Sequence, residues 1–176
     1  AQAMTNILEN LNGMAAIGVG VGLMTIVGQC MGADRKDEAV YYIKKLSVIA
    51  EVAIIVSCLL VFALIRPVTV LGGMEPASAK MCFHMVTWIT LVKPIVWTLA
   101  FVPAYGLRAA GDVKFSMITS CLVMWLCRFC LCVILIRFLG FGPMGVWIGM
   151  FADWTVRAVI FTWRFHSRRW LRYKVI

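Results

Sequence analysis

Five ionisable residues stand where water is scarce, and their types and spacing define what chemistry this chain can do. Lys93 sits in the apolar run Thr90-Leu-Val-Lys93-Pro94-Ile-Val-Trp97. A lysine at mid-bilayer depth is expensive unless it meets water or a carboxylate, so it is a functional candidate by default. Thr90, Lys93 and Trp97 share one helix face at spacings of three and four. Glu9 belongs to a second stripe, Gln2, Asn6, Glu9 and Gly13, continued by Ala16 and Gly20. A polar stripe that turns into a small-residue stripe lines a watery cavity or packs closely on another helix. Glu9 is therefore either a site for a cation or proton or a polar interhelical contact. Asp153 and Arg157 are four apart with the acid first, the favourable order for a helical ion pair. Arg128, on the preceding span, is placed to complete an Arg–Asp–Arg bridge. Such a network either pins two helices together or lets Asp153 change partner or protonation during a working cycle. Three bases (Lys93, Arg128, Arg157) face two acids (Glu9, Asp153), so the remaining positive charge needs water or a carboxylate supplied from elsewhere.

The elements that must position these residues are long and apolar. Of the 176 residues 62% are hydrophobic and 14% charged, against about 45–50% and about 25% in soluble domains. Mean hydropathy is +0.92. The chain is expected to be an all-α integral membrane protein with about five transmembrane helices, over residues 2–30, 46–70, 79–107, 115–138 and 144–165. Residues 1–166 are expected to form one membrane unit and 167–176 a basic tail. A β-barrel is excluded because the apolar runs are too long and do not alternate. Pro94 and Pro103 predict a bent or broken third helix and are the candidate hinges. The stretch Pro103–Lys114 is the sharpest polar interruption, with Gly111-Asp112 making a turn.

Charge distribution orients the chain. With residues 33–45, the turn at 108–114 and the terminal bases Arg164, Arg168, Arg169, Arg172 and Lys174 on one side, eleven basic residues lie there, against Arg66, Lys80 and Arg137 on the other. Positive residues collect in the cytoplasm, so the expectation is a multi-pass cell-membrane (plasma or inner) protein with a cytoplasmic C-terminus. The same distribution explains the net charge of +9 without nucleic acid, since the bases lie in loops and tail. The glycines Gly18-x-Gly20-x-Gly22 and Gly28-x-x-x-Gly32 do not make a dinucleotide loop, because no strand precedes them; close helix packing is the better account. Cys127-x-x-Cys130-x-Cys132 has no nearby His or carboxylate and reads as small packing residues, so no metal or other cofactor is expected. No nucleophile–base pair supports an enzyme. The chain opens with Ala-Gln-Ala-Met, already inside a helical pattern, which suggests a piece of something longer.

Several segments together resemble one family. Val27-Gly28-Gln29-Cys30-Met31-Gly32-Ala33 followed by Ala39 resembles the end of the eighth helix of multidrug and toxic compound extrusion (MATE) transporters. Pro103 with Leu107-Arg108-Ala-Ala-Gly111-Asp112 is similar to the end of their tenth helix, and Met124-Trp125-x-x-Arg128 to the eleventh. Gly142-Pro143-x-Gly145-Val146-Trp147, Asp153-Trp154-x-x-Arg157, Arg164-Phe165 and Arg168-Arg169-Trp170 are similar to the twelfth and its exit. The resemblance covers essentially the whole chain in order. It implies a twelve-helix, two-lobed transporter, with this chain supplying five helices of the C-terminal lobe. The N-terminal lobe and the preceding seventh helix would then be its missing partners. It also implies export of small organic, often cationic, compounds in exchange for H⁺ or Na⁺. Some family members bind the cation with acids on the seventh and tenth helices. Here the tenth offers Lys93 and no acid, which favours proton coupling or coupling through the other lobe.

Three functions are therefore carried forward. In a secondary antiporter, Asn6, Glu9, Lys93 and Trp97 line the substrate or cation cavity, and Arg128, Asp153 and Arg157 hold or switch helices. A lipid-linked oligosaccharide flippase of the same superfamily would instead use Lys93 and Arg128 as cations for a phosphate-bearing substrate. A non-transporting membrane scaffold subunit would use the charges only for assembly. The partners expected in the first case are a small organic substrate and the lipid bilayer, and not nucleic acid.

Overall fold

A computed structural model describes residues 2–71, 73, 75–138, 140 and 142–172. Lys174 of the tail, Gly72 and Phe141 between expected spans, and the side chain of Gln2 lie outside that description. Among the described residues, five helices are long and apolar enough to cross a membrane. They are helical because hydrocarbon offers no partner to backbone N–H and C=O groups, and a helix satisfies them within one segment.

Helix α1 (Gln2–Gly32) turns into α2 (Lys36–Leu71) through three residues. Asp34 takes a left-handed φ of 56° there, a conformation for which Asp is one of the better-suited non-glycine residues. The turn closes with Arg35 N–H donating to the Cys30 carbonyl at 2.8 Å. Helix α2 starts at Lys36, not at Leu46 as the hydropathy pattern suggests. The polar segment 36–45 is helical although it is not apolar, with Asp37 and Glu38 in the first turn, where acids complement the helix dipole. Helix α2 has 36 residues, about 54 Å at 1.5 Å each. A hydrocarbon layer of about 30 Å leaves several turns to project from it.

Helix α3 (Pro76–Ala109) begins with Pro at its first position, where the missing N–H costs nothing. It runs through both Pro94 and Pro103 as one continuous helix, so the broken form of the expectation does not occur. The fourth span is not uniform. An α-helical part, α4 (Val113–Val123), gives way to a π-helical segment (Met124–Cys130) and then to α5 (Leu131–Arg137). Helix α6 (Pro143–His166) is followed by a short 3₁₀ turn, Arg169–Arg172.

Helix α3 is the hub: α1 and α2 pack on it and on each other, and α6 packs on it as well. The fourth span lies against α6 and stays largely exposed. The core is built from Ala16, Leu23, Val27, Ile43, Ile54, Ala100, Leu107, Trp154 and Phe161, all buried. Small residues allow the closest approaches, as expected for helices that gain little hydrophobic drive in lipid. The Tyr105 ring lies over Gly20, where a Cβ would come within 2.6 Å of it, and Ile43 likewise covers Gly106. Gly18, Gly22, Gly28 and Gly32 meet nothing comparable. Close packing through the glycine stripes thus holds for Gly20 and not for those four.

Candidate functional site

The centre of the site is one ion pair between α1 and α3. Lys93 has no exposed surface. Its ammonium donates to Glu9 Oε1 at 2.7 Å and to the Glu9 backbone carbonyl at 3.0 Å. The Glu9 side chain retains 18% exposure, so the pair is open on its acidic side only. Gly13, one turn further along the same α1 face, leaves the room; a Cβ there would sit 3.3 Å from the Lys93 nitrogen. The ring of Trp97, one turn along α3, lies 5.6 Å from that nitrogen, within the range for cation–π attraction. Glu9, Lys93 and Trp97 are thus brought together. Asn6 is exposed and takes no part in the pair.

A second pair lies on α6. Arg157 Nε donates to Asp153 Oδ1 at 2.9 Å, and both residues are buried. Arg157 Nη2 also donates to the Ser120 carbonyl at 3.0 Å, which ties α6 to α4. The expected Arg–Asp–Arg bridge does not form. Arg128 is exposed and directs Nη2 to the Met150 sulfur at 3.6 Å, not to Asp153. Arg128 lies inside the π-helical segment, whose i→i+5 hydrogen bonding shifts side-chain phase from the α-helical spacing. That phase was not readable from an apolar run.

The two pairs are joined. Trp97 stacks on Phe101 with ring centroids 4.8 Å apart, and Phe101 lies 5.8 Å from the Arg157 guanidinium. A continuous line of contacts therefore runs Glu9–Lys93–Trp97–Phe101–Arg157–Asp153 across α1, α3 and α6.

Some polar contacts escaped the sequence pattern. Asp112, expected only as a turn residue, is buried and accepts from Arg164 Nε at 2.8 Å. The Arg164 guanidinium also lies 4.5 Å over the Phe115 ring. Arg108, in the same turn, donates to Ser116 Oγ at 2.9 Å. Arg164, one of the bases of the cytoplasmic charge count, thus fixes the α3–α4 turn to the end of α6. The tail itself starts by folding back: Trp170 is fully buried and stacks on Phe165 at 5.7 Å. On α1, Asn12 is buried and donates to Cys58 Sγ at 3.0 Å, and buried Thr5 donates to Cys82 Sγ at 3.3 Å. Thr5, Leu8, Asn12 and Ala16 follow helical spacing, so this stripe was available beside the one through Asn6. Cys132 faces Gly149, where there is no side chain to obstruct its sulfur.

Comparison with known proteins gives a consistent picture. A family model described as MatE matches residues 1–134. A protein of Thermotoga maritima named "Probable multidrug resistance protein NorM" is 22% identical over 96% of this chain and 36% of its own length. "Uncharacterized transporter YisQ" of Bacillus subtilis is 39% identical over 38% of this chain and 15% of its own. A second "Probable multidrug resistance protein NorM", from Rhodopseudomonas palustris, is 37% identical over 35% of this chain and 13% of its own. The chain spans about a third of the length of the first of these relatives and less of the other two. No solved structure matches it.

Proposed function

The chain belongs to the MatE family, and from that premise we propose that it forms the C-terminal lobe of a secondary antiporter exporting organic cations in exchange for protons. The names of two relatives as probable multidrug resistance proteins support drugs as the substrates, and the cationic class rests on the site itself. The single observation that carries the reading is the Glu9–Lys93 pair: a fully buried ammonium whose carboxylate partner is still reachable. In such a pair Lys93 acts as a built-in counter-ion. A cationic substrate that reaches Glu9 competes with the ammonium for the same oxygens, while Trp97 offers its ring to either cation. A proton arriving on Glu9 cancels the acceptor charge and releases the substrate cation. Sodium suits this site less well, since α3 brings Glu9 an ammonium and carries no acid of its own to share a metal cation.

The flippase alternative needs a free cationic cavity for phosphate. Lys93 being neutralised by Glu9 weighs against it, and so we favour export of cations. Asp153–Arg157 and the aromatic bridge hold α6 to α3 in this scheme, and Pro94 and Pro103 remain the proposed places where α3 yields during alternating access. The protein would sit in the plasma membrane with its C-terminus in the cytoplasm, in keeping with the distribution of basic residues.

The test is efflux of a cationic dye from cells expressing the protein or its Glu9→Gln variant at equal levels. A lost charge-assisted contact in a poorly solvated site should lower export by about tenfold or more. Export at the unaltered rate would remove Glu9 from the mechanism.

A further inference from the structure

Away from the charge line, the end of the bundle where α2 stops and α3 starts carries a recess of about 380 Å³. Arg66 and Lys80 line it with His84, Thr69 and Phe83, and among the described residues no acidic one does. Neither Arg66 nor Lys80 has an ion-pair partner among the described residues. His84 adds a third donor: its Nε2 accepts from Trp88 Nε1 at 3.1 Å, so in the neutral ring the proton sits on Nδ1. Arg66 lies five residues before the end of α2 and Lys80 four residues after the start of α3. At ~1.5 Å per residue both are within about 8 Å of their helix ends, the depth of lipid headgroups and not of the hydrocarbon centre. Val70 and Leu71 are exposed at the same end, so apolar surface surrounds the recess. One turn deeper, Phe62 of α2 and Phe83 of α3 are paired at 5.7 Å and exposed. Positive donors above and an aromatic wall below have the polarity of a phospholipid.

We propose that this recess binds an anionic phospholipid, with its phosphate on Arg66, Lys80 and the His84 Nδ1–H and an acyl chain along Phe62 and Phe83. The basic groups are too few and too shallow to line a route across the membrane, and the site stands apart from Glu9 and Lys93 in its residues. It holds whether or not those residues carry transport. Apart from the Trp88–His84 bond, these groups have no polar partner among the described residues, so a headgroup phosphate would meet donors that are still available.

Native mass spectrometry of the purified protein, titrated with phosphatidylglycerol or phosphatidylcholine, tests this. Two basic side chains near the membrane surface predict a phosphatidylglycerol adduct at about tenfold lower lipid concentration than the phosphatidylcholine adduct. R66Q/K80Q should abolish that preference. R66K/K80R, which keeps both charges, should retain it, as should R137Q, which removes a basic residue outside the recess. Equal affinity for phosphatidylcholine, or a preference that survives in R66Q/K80Q, would overturn the proposal. Displacement of the lipid by an equal concentration of inorganic phosphate would overturn it too, by assigning the recess to a free anion.

Discussion

Lys93 and Glu9 are not equivalent partners, because one is fully buried and the other keeps a path to the outside. Removing either half of a buried pair costs about 3 kcal/mol or more, chiefly through the charge left behind. Glu9→Gln leaves the ammonium buried beside neutral acceptors, an amide oxygen and the backbone carbonyl of residue 9, and without its counter-charge. Lys93→Met leaves a carboxylate that can still be hydrated. Thermal unfolding in detergent should therefore rank Glu9→Gln as the more destabilising change, with the double variant E9Q/K93M less damaging than E9Q alone. The opposite ranking would mean that Lys93 does not depend on Glu9. Both residues were visible in the sequence, Lys93 as a charge in an apolar run and Glu9 as the acid of a polar stripe, and the requirement that Lys93 meet a carboxylate followed from its depth. Which carboxylate it meets was not visible, since register between α1 and α3 is set by packing and not by either helix alone. Asn6 illustrates the limit. It lies on the same nominal stripe as Glu9 but is exposed, while Asn12 and Thr5, one face over, are buried.

At the scale of elements, α3 organises the fold through contacts that need small residues at particular points. Tyr105 lies flat enough over Gly20 that three of its ring atoms would come within 3.3 Å of an added Cβ. Gly20→Ala should thus cost about 1–3 kcal/mol as overpacking, read as a lower unfolding temperature. Gly28→Ala, with nothing within 4 Å, should leave that temperature unchanged or raise it, because alanine is the better helix former. Equal effects at both sites would show that Gly20 does not set the α1–α3 distance. The five spans themselves were legible because apolar length alone demands them. Two features of the elements were not. Segment 36–45 is polar and helical, and hydropathy reports membrane depth, not helicity. The π-helical segment 124–130 lies in an unbroken apolar run, where no Pro or Gly marks the wider turn, so the side Arg128 takes was hidden. The α3–α4 turn was legible as a turn, while its anchoring through Asp112 and Arg164 joins residues 52 apart in sequence.

Across the molecule, the buried pairs Glu9–Lys93 and Asp153–Arg157 are connected by a stacked aromatic pair, and the one with an accessible carboxylate is proposed to exchange cations. A purely structural pair and a working one differ in what a charge swap restores. In Glu9→Lys/Lys93→Glu, opposite charges again face each other between α1 and α3, so stability should recover toward that of the unaltered protein relative to E9Q. The reachable position would now carry an ammonium, which repels a cationic substrate. Unfolding temperature and cationic-dye efflux, measured together on this double variant, therefore test the account most directly. Recovered stability with efflux still lost is the predicted result, and recovery of both would contradict it by reducing the Glu9–Lys93 pair to a brace.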